Sequence, residues 1–392
     1  MTPSRTVPPE AQRVFKRLAS ASSSLPASGT PLTTVTPLPL RPFVSRPTRT
    51  MPSPAGTFFF GVSLHLHENA GFPQSRHFEA PLLDQTMRDT GGLQAAATGG
   101  RESSYHGEGL HPWQDAGVPR PVLVTGASGY VGRALVALLQ RRGDLVCAWT
   151  GRGGGPDIRD EAAVHARIAA DRPAVVIHLV TAQAGASEEE LAATNVAGAR
   201  HVAAAAAAVG AHLVHVSSDM VHDGTSAPYA DDAPARPVTA YGRSKAAGED
   251  AVLAVSAHAL VVRTSLVIDP HDPDRATRGF LDRARRGEDV VLFTDEVRSA
   301  VRRDAFVEAL VDLADQPVHG RLNVAGPEPL TRRALGEAFL RRALGAEGLR
   351  TVRALTRAQA GVPDRPADLS LDSSQAYRVL GRSLPPLLPL AG

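Results

Sequence analysis

The run Thr125-Gly126-Ala127-Ser128-Gly129-Tyr130-Val131-Gly132 follows the short apolar segment Val122-Leu123-Val124 and leads into a helix-compatible stretch, Arg133 to Arg142. Three glycines at this spacing, between a strand and a helix, leave the chain few folds. The first permits a tight turn, the second lets backbone approach a ligand phosphate, and the third lets helix pack closely on sheet. A helix N-terminus behind such a loop offers free N–H groups and a partial positive charge to an anion. Gly126, Ser128, Gly129, Tyr130, Val131 and Gly132 are therefore candidates to seat a dinucleotide pyrophosphate.

Strand and helix signals alternate from Pro121 onward. Leu145 to Trp149 reads as a strand, Glu161 to Ala170 as a helix, and Ala174 to His178 as the third strand. A long helix is expected over Glu188 to Val209, then a strand at Leu213 to Ser217, a helix at Tyr241 to Val255 and a strand at Leu260 to Arg263. This alternation predicts an α/β fold: a Rossmann-type doubly wound parallel sheet with helices on both faces. Continuous Val, Ile and Leu runs fit strands buried on both sides. After Ile268 the rhythm loosens. Helical stretches near 302–313 and 331–344 are expected to build a smaller C-terminal substrate-binding lobe. The predicted division is an extension at 1–117, a dinucleotide-binding domain with the catalytic residues at 118–268, and a lobe at 269–392 that partly returns to the sheet.

Proline, serine, threonine and glycine dominate the first 117 residues, with no sustained period. Such a segment buries too little apolar surface to offset chain entropy, so a disordered extension is expected. A start codon placed too early, with the natural start near Met87 or Val118, is preferred over a flexible arm or a targeting segment. His65 and His67 sit at strand spacing without a third ligand nearby, so no metal site is expected. The net charge of +2 over 392 residues argues against a nucleic-acid partner. The single cysteine, Cys147, rules out an internal disulfide scaffold and fits a reducing, cytoplasmic compartment. No apolar run is long enough to span a bilayer, so no membrane partner is expected.

A second motif, Tyr241-Gly242-Arg243-Ser244-Lys245, puts a phenol and an ammonium one helical turn apart on one face. A free tyrosine titrates near ~10, and a nearby ammonium favours the phenolate, so proton transfer near neutrality is the chemistry this pair suits. Ser218 follows a predicted parallel strand, the end at which such sheets bind ligands, and can orient a carbonyl. After the second strand, many NAD sites carry an acid for the ribose. Here Thr150, Gly151 and Arg152 stand there, so NADP(H) is expected ahead of NAD(H), with Arg152 on the 2′-phosphate. Asp157 and Ile158 are placed beside the adenine.

These residues resemble the extended short-chain dehydrogenase/reductases, and within them the dTDP-4-dehydrorhamnose reductases, over nearly all of Val122 to Leu384. The most specific stretch is Val216-Ser217-Ser218-Asp219-Met220-Val221-His222-Asp223-Gly224-Thr225, followed by Pro228-Tyr229, Asp231-Asp232, Pro237, Tyr241-Gly242-Arg243-Ser244-Lys245 and Gly248-Glu249. Asp157-Ile158-Arg159-Asp160, Arg365-Pro366 and Leu371-Asp372 fit the same pattern. The resemblance implies a catalytic trio of Ser218, Tyr241 and Lys245, with Tyr241 as proton donor and Lys245 as its electrostatic partner. It implies a nucleotide-sugar substrate, hydride transfer from NADPH to a C4 ketone, and a homodimer.

Met220 and His222 replace aromatics usual in these reductases, and His178-Leu179-Val180 replaces Asn-Ala-Ala. Candidate substrate contacts are Met220, His222, Arg263 and Arg298, with Asp304 beside them; an arginine fork suits a diphosphate. Two alternatives remain at this level. One is an NAD-dependent nucleotide-sugar epimerase. The other is a nucleotide-binding regulatory subunit that does no chemistry. Dehydration is disfavoured because Met220 stands where dehydratases carry a glutamate.

Overall fold

A computed structural model describes residues 119–151 and 153–388. The extension at 1–117, with His65 and His67, and Arg152 lie outside the described residues.

Six parallel strands form the central sheet: β1 (Pro121–Thr125), β2 (Leu145–Trp149), β3 (Val175–His178), β4 (His212–Ser218), β5 (Leu260–Thr264) and β10 (Gly320–Asn323). Their spatial order is β10-β5-β4-β3-β1-β2. The order reverses between β1 and β3, and such a switch point opens a crevice at the carboxyl ends of the strands. Val122, Leu123 and Val124 on β1 and Val175 to His178 on β3 are essentially inaccessible, as two-sided cover demands.

Helix α1 (Tyr130–Arg142) starts three residues before the sequence signal suggested, because Tyr130, Val131 and Gly132 already belong to its first turn. Helix α2 (Glu161–Asp171) is capped by Asp160, whose carboxylate accepts from Ala163 N. The long helix expected over 188–209 is continuous but not uniform. Helix α3 (Glu188–Leu191) passes into a π-helical segment, Ala192–Gly198, and then into α4 (Ala199–Ala208). Helix α5 (Ala240–Val255) is capped by Thr239, whose hydroxyl accepts from Gly242 N at 3.0 Å. Apolar side chains of α4 and α5, among them Val202 and Val252, cover one face of the sheet with Leu123, Val176, Leu213 and Val261.

The smaller lobe contains β6 (Val267–Ile268), α6 (Arg275–Arg285), β7 (Val290–Phe293), β8 (Val297–Arg298), β9 (Val301–Arg302), β11 (Leu330–Thr331), α8 (Arg332–Leu349) and β12 (Val352–Leu355). Its own core joins Phe280, Leu281, Leu292, Leu335 and Phe339. Helix α7 (Arg303–Ala314) is a correction to the sequence reading. Its Phe306, Leu310 and Val311 pack with Leu135 and Leu139 of α1 against the main sheet, not with the lobe. The chain then returns through β10, and α9 (Ser374–Leu380) closes the same core with Ala376. Among the described residues, no helix is long and apolar enough to cross a membrane.

Candidate active site

A cleft of about 2120 Å³ lies over the β1/β3 switch point and extends to the smaller lobe. The glycine-rich turn forms one wall. Gly132 must be glycine for steric reasons: a Cβ there would meet Gly126 O at 2.2 Å. Helix α1 has Gly129 at its N-cap, with no side chain capping it and no acid in its first turn. An uncapped, acid-free helix start facing a cleft fits a dinucleotide pyrophosphate. Gly126, Ser128, Gly129, Tyr130, Val131 and Gly132 all line this cleft, as do Asp157 and Ile158. The Ser128 hydroxyl donates to Thr150 O at 3.0 Å and holds the turn against the end of β2. The Asp157 carboxylate is paired with Arg159, which keeps it below the usual range.

Tyr130 ties this wall to the smaller lobe. Its hydroxyl donates to Asp272 O at 2.9 Å and accepts from Asp269 N at 2.8 Å. The Arg303 guanidinium lies 4.4 Å from the ring centroid and pairs with Asp269 and Asp272.

Ser218, Tyr241 and Lys245 come together on the opposite wall. Ser218 ends β4 and starts a 3₁₀ turn, Asp219–Val221, with its hydroxyl accepting from Met220 N at 3.2 Å. Helix α5 presses on that turn because residue 242 is glycine: a Cβ there would lie 2.1 Å from Met220 O. The close approach puts Tyr241 beside Ser218. Burial raises the pKa of the Tyr241 phenol and the Asp219 charge adds to that, while the Thr181 and Ser218 hydroxyls favour the ionised form without reversing the sign. The lowered tyrosine pKa that the sequence suggested is therefore absent from this structure. The reason is the depth at which the phenol is buried. Lys245 Nζ donates to Val216 O at 2.9 Å. Burial brings Lys245 down to about 8, with Glu249 opposing.

Asn195 is a buried bracing residue behind the site that sequence reasoning missed. It lies in the π-helical segment, where its amide bonds Ala182 N and O at 2.7 and 3.1 Å and Ser244 Oγ at 2.9 Å. It thereby locks the loop after β3 to α5. Its signal was Asn195-Val196-Ala197-Gly198, a polar residue and a glycine inside an alanine-rich helix.

Of the candidate substrate contacts, Met220 and Arg298 line the cleft. Arg298 donates to Asp219 Oδ2 at 3.0 Å and to Glu296 Oε1 at 3.2 Å, and its guanidinium nitrogens lie 3.3 Å from Met220 Sδ. Arg332 and Arg365, which the sequence reading did not single out for the cleft, stand beside it and pair with Glu296. Three guanidiniums thus share two carboxylates, Asp219 and Glu296. Burial pulls Arg332 down to about 9 against the attraction of Glu296. His222 and Arg263 do not line the cleft. His222 is buried, stacked on Tyr229 with ring centroids 3.9 Å apart. Arg263 is fully buried and gives its fork to Glu249 at 2.8 to 3.2 Å. Asp304 pairs with Arg302 on the surface. Among the described residues, no group of three or more His, Cys, Asp or Glu could hold a metal ion.

The RmlD substrate binding domain family model matches residues 120–387. The dTDP-4-dehydrorhamnose reductase of Streptomyces griseus is 44% identical over 185 residues, 45% of this chain and 60% of that protein. Methionine adenosyltransferase 2 subunit beta of Xenopus laevis is 38% identical over 163 residues, 39% of this chain and 49% of that protein. The aligned segments thus span about three fifths and about half of these two curated relatives. Among solved structures, the dTDP-4-dehydrorhamnose reductase of Bacillus anthracis in complex with NADP matches with a TM-score of 0.61 at 22% identity, over 69% of this chain and 95% of that one. Likeness at that identity speaks to the fold alone.

Proposed function

Because the chain belongs to the RmlD substrate binding domain family, we propose that it is an oxidoreductase that uses NADPH to reduce the C4 ketone of a dTDP-linked deoxyhexulose. The observation that carries this reading is the meeting of Ser218, Tyr241 and Lys245 across one cleft from an uncapped, glycine-lined helix start. The name of the Streptomyces griseus relative points the same way.

The residues 126–132 would hold the dinucleotide, which supplies the hydride when bound. The Ser218 hydroxyl orients the ketone oxygen toward Tyr241. The Tyr241 hydroxyl passes its proton to that oxygen as negative charge develops there. The Lys245 ammonium stabilises the phenolate that remains. Arg298, Arg332 and Arg365 gather at the lobe side of the cleft, and guanidinium forks there suit a diphosphate. The preference for NADPH over NADH rests on the lack of an acid at Thr150 and Gly151 and on Arg152 beside them.

The test is direct. Purified protein is mixed with NADPH and dTDP-4-dehydro-6-deoxy-L-mannose, and loss of reduced-cofactor absorbance is followed. Turnover that disappears in Tyr241→Phe is the expected result. A second reading, a regulatory subunit without chemistry, draws on the similarity to the Xenopus subunit. Tight dinucleotide binding with no oxidation on any 4-keto sugar would favour it.

A further inference from the structure

Two histidines lie behind the catalytic wall and have no part in the steps above. His178 ends β3 and His215 sits in β4. In the sheet register Thr125 pairs with His178, and His178 pairs with His215. These three polar residues therefore form one row across β1, β3 and β4. Each lies two residues beyond Leu123, Val176 and Leu213, so side-chain alternation points the row to the face covered by α4 and α5. Both imidazoles are 1% exposed and stack with centroids 5.2 Å apart.

The row is incompletely bonded. Thr125 Oγ1 lies 2.6 Å from His178 Nδ1 and accepts from Leu179 N at 3.3 Å. His178 Nε2 and both ring nitrogens of His215 have no hydrogen-bond partner among the described residues. A neutral imidazole carries one donor and one acceptor, and leaving such groups unmatched in a core is costly. Three unmatched nitrogens in one small region call for internal water. Lys245 approaches from α5. It has three N–H donors, and Val216 O, next to His215 on β4, takes one of them.

We propose that His178 and His215 are positioning residues for Lys245: with internal water they form a polar seat behind the ammonium, which keeps it charged on the cleft wall it shares with Tyr241. This rests on the redox reading above. The alternative seat, an apolar one, would strip the ammonium of solvation and drive it neutral. The rings themselves stay neutral, held far below the usual histidine value by burial first and by the Lys245 charge second. They can therefore serve as acceptors without adding repulsion. Other charges near Lys245 come from its own helix and the neighbouring strands. Glu249 on α5 is bonded by Ser217 of β4, Arg263 of β5 and Arg321 of β10. Asp219 acts on Tyr241 from the 3₁₀ turn.

His215→Leu and His215→Gln separate this role from simple packing. In His215→Leu the alkaline limb of kcat should move to lower pH by roughly one unit, with KM for NADPH nearly unchanged. In His215→Gln, which keeps a donor and an acceptor, the limb should stay near the wild-type position. A second readout needs no substrate. Tyrosinate absorbance is titrated in the full chain with NADP bound, and the Tyr241→Phe trace is subtracted. Tyr241 should ionise at higher pH in His215→Leu than in wild type or His215→Gln. Identical tyrosinate titrations in all three proteins, or equal shifts in both variants, would overturn the proposal. So would a high-resolution crystal structure with no water in hydrogen-bond reach of His215. If wild type turns over no keto sugar yet the tyrosinate shift is present, the redox reading fails and the seat survives.

Discussion

Arg263 and Glu249 offer a test of which arginines serve the cleft and which serve the fold. Their side chains are 1% and 0% exposed, with the closest nitrogen and oxygen 2.8 Å apart. Glu249 also accepts from Ser217 Oγ at 2.6 Å and Arg321 Nε at 2.9 Å, and Arg263 reaches the carbonyls of Asp231 and Ala233 at 3.3 Å. Burial alone would push the Glu249 carboxyl up, but the Arg263 guanidinium, with Ser217 and Arg321, outweighs it and holds the group below the usual range. Arg263→Ala leaves a buried carboxylate without its main partner, a change that costs about 3–5 kcal/mol. The sign with pH follows from linkage. In wild type the folded pKa lies below the unfolded value of ~4.3, so the pair stabilises above that value and the contribution is lost as pH falls through the folded pKa. In Arg263→Ala the folded pKa rises above the unfolded one. The penalty is then full at neutral pH and shrinks as pH falls toward ~4.3. Denaturant unfolding of both proteins at neutral and mildly acid pH measures this. The double variant Glu249→Met/Arg263→Met should recover most of the loss, because no unpaired charge remains. Since Arg263 does not line the cleft, KM for the keto sugar should be nearly unchanged in whatever fraction stays folded. A loss under about 1 kcal/mol, the size of an exposed ion pair, or a large rise in KM with stability intact, would refute the structural role.

Three further outcomes are expected. Tyr241→Phe should lower kcat by roughly 10²–10⁴-fold while dinucleotide binding, measured by fluorescence titration, is retained. Gly242→Ala would put a methyl 2.1 Å from Met220 O, so α5 must retreat from the 3₁₀ turn; a stability loss of about 1–3 kcal/mol should accompany a fall in kcat. Cys147 is held up to about 11 by burial and by its hydrogen bond to Asp171, so alkylation in the native protein near neutral pH should be slow and should become fast on unfolding. As the chain has one cysteine, mass spectrometry reads that site alone.

The parts legible in the sequence are those whose cause is local. A strand-glycine-helix junction needs only neighbours along the chain, so β1, the turn and α1 could be read from Val122 to Arg142. The same holds for Tyr241 and Lys245, which one helical turn is enough to align. Other features depend on distant partners. Arg263 sits at a strand end and reads as a cleft residue until Glu249, on the preceding helix, is seen to take its fork. The π-helical segment shows in the alanine-rich run only as a polar residue and a glycine, and Asn195 gains meaning only when Ala182 and Ser244 close around it. The pKa of Tyr241 illustrates the limit most sharply. A spacing of four residues permits a lysine to lower it, but the direction of the shift depends on how deeply the phenol is buried. Here burial decides the sign. The polar row of Thr125, His178 and His215 is likewise set by strand register, which joins residues 53 apart between Thr125 and His178. Chemistry along one helix could thus be anticipated, whereas the tuning of that chemistry comes from strands that meet only in the folded sheet.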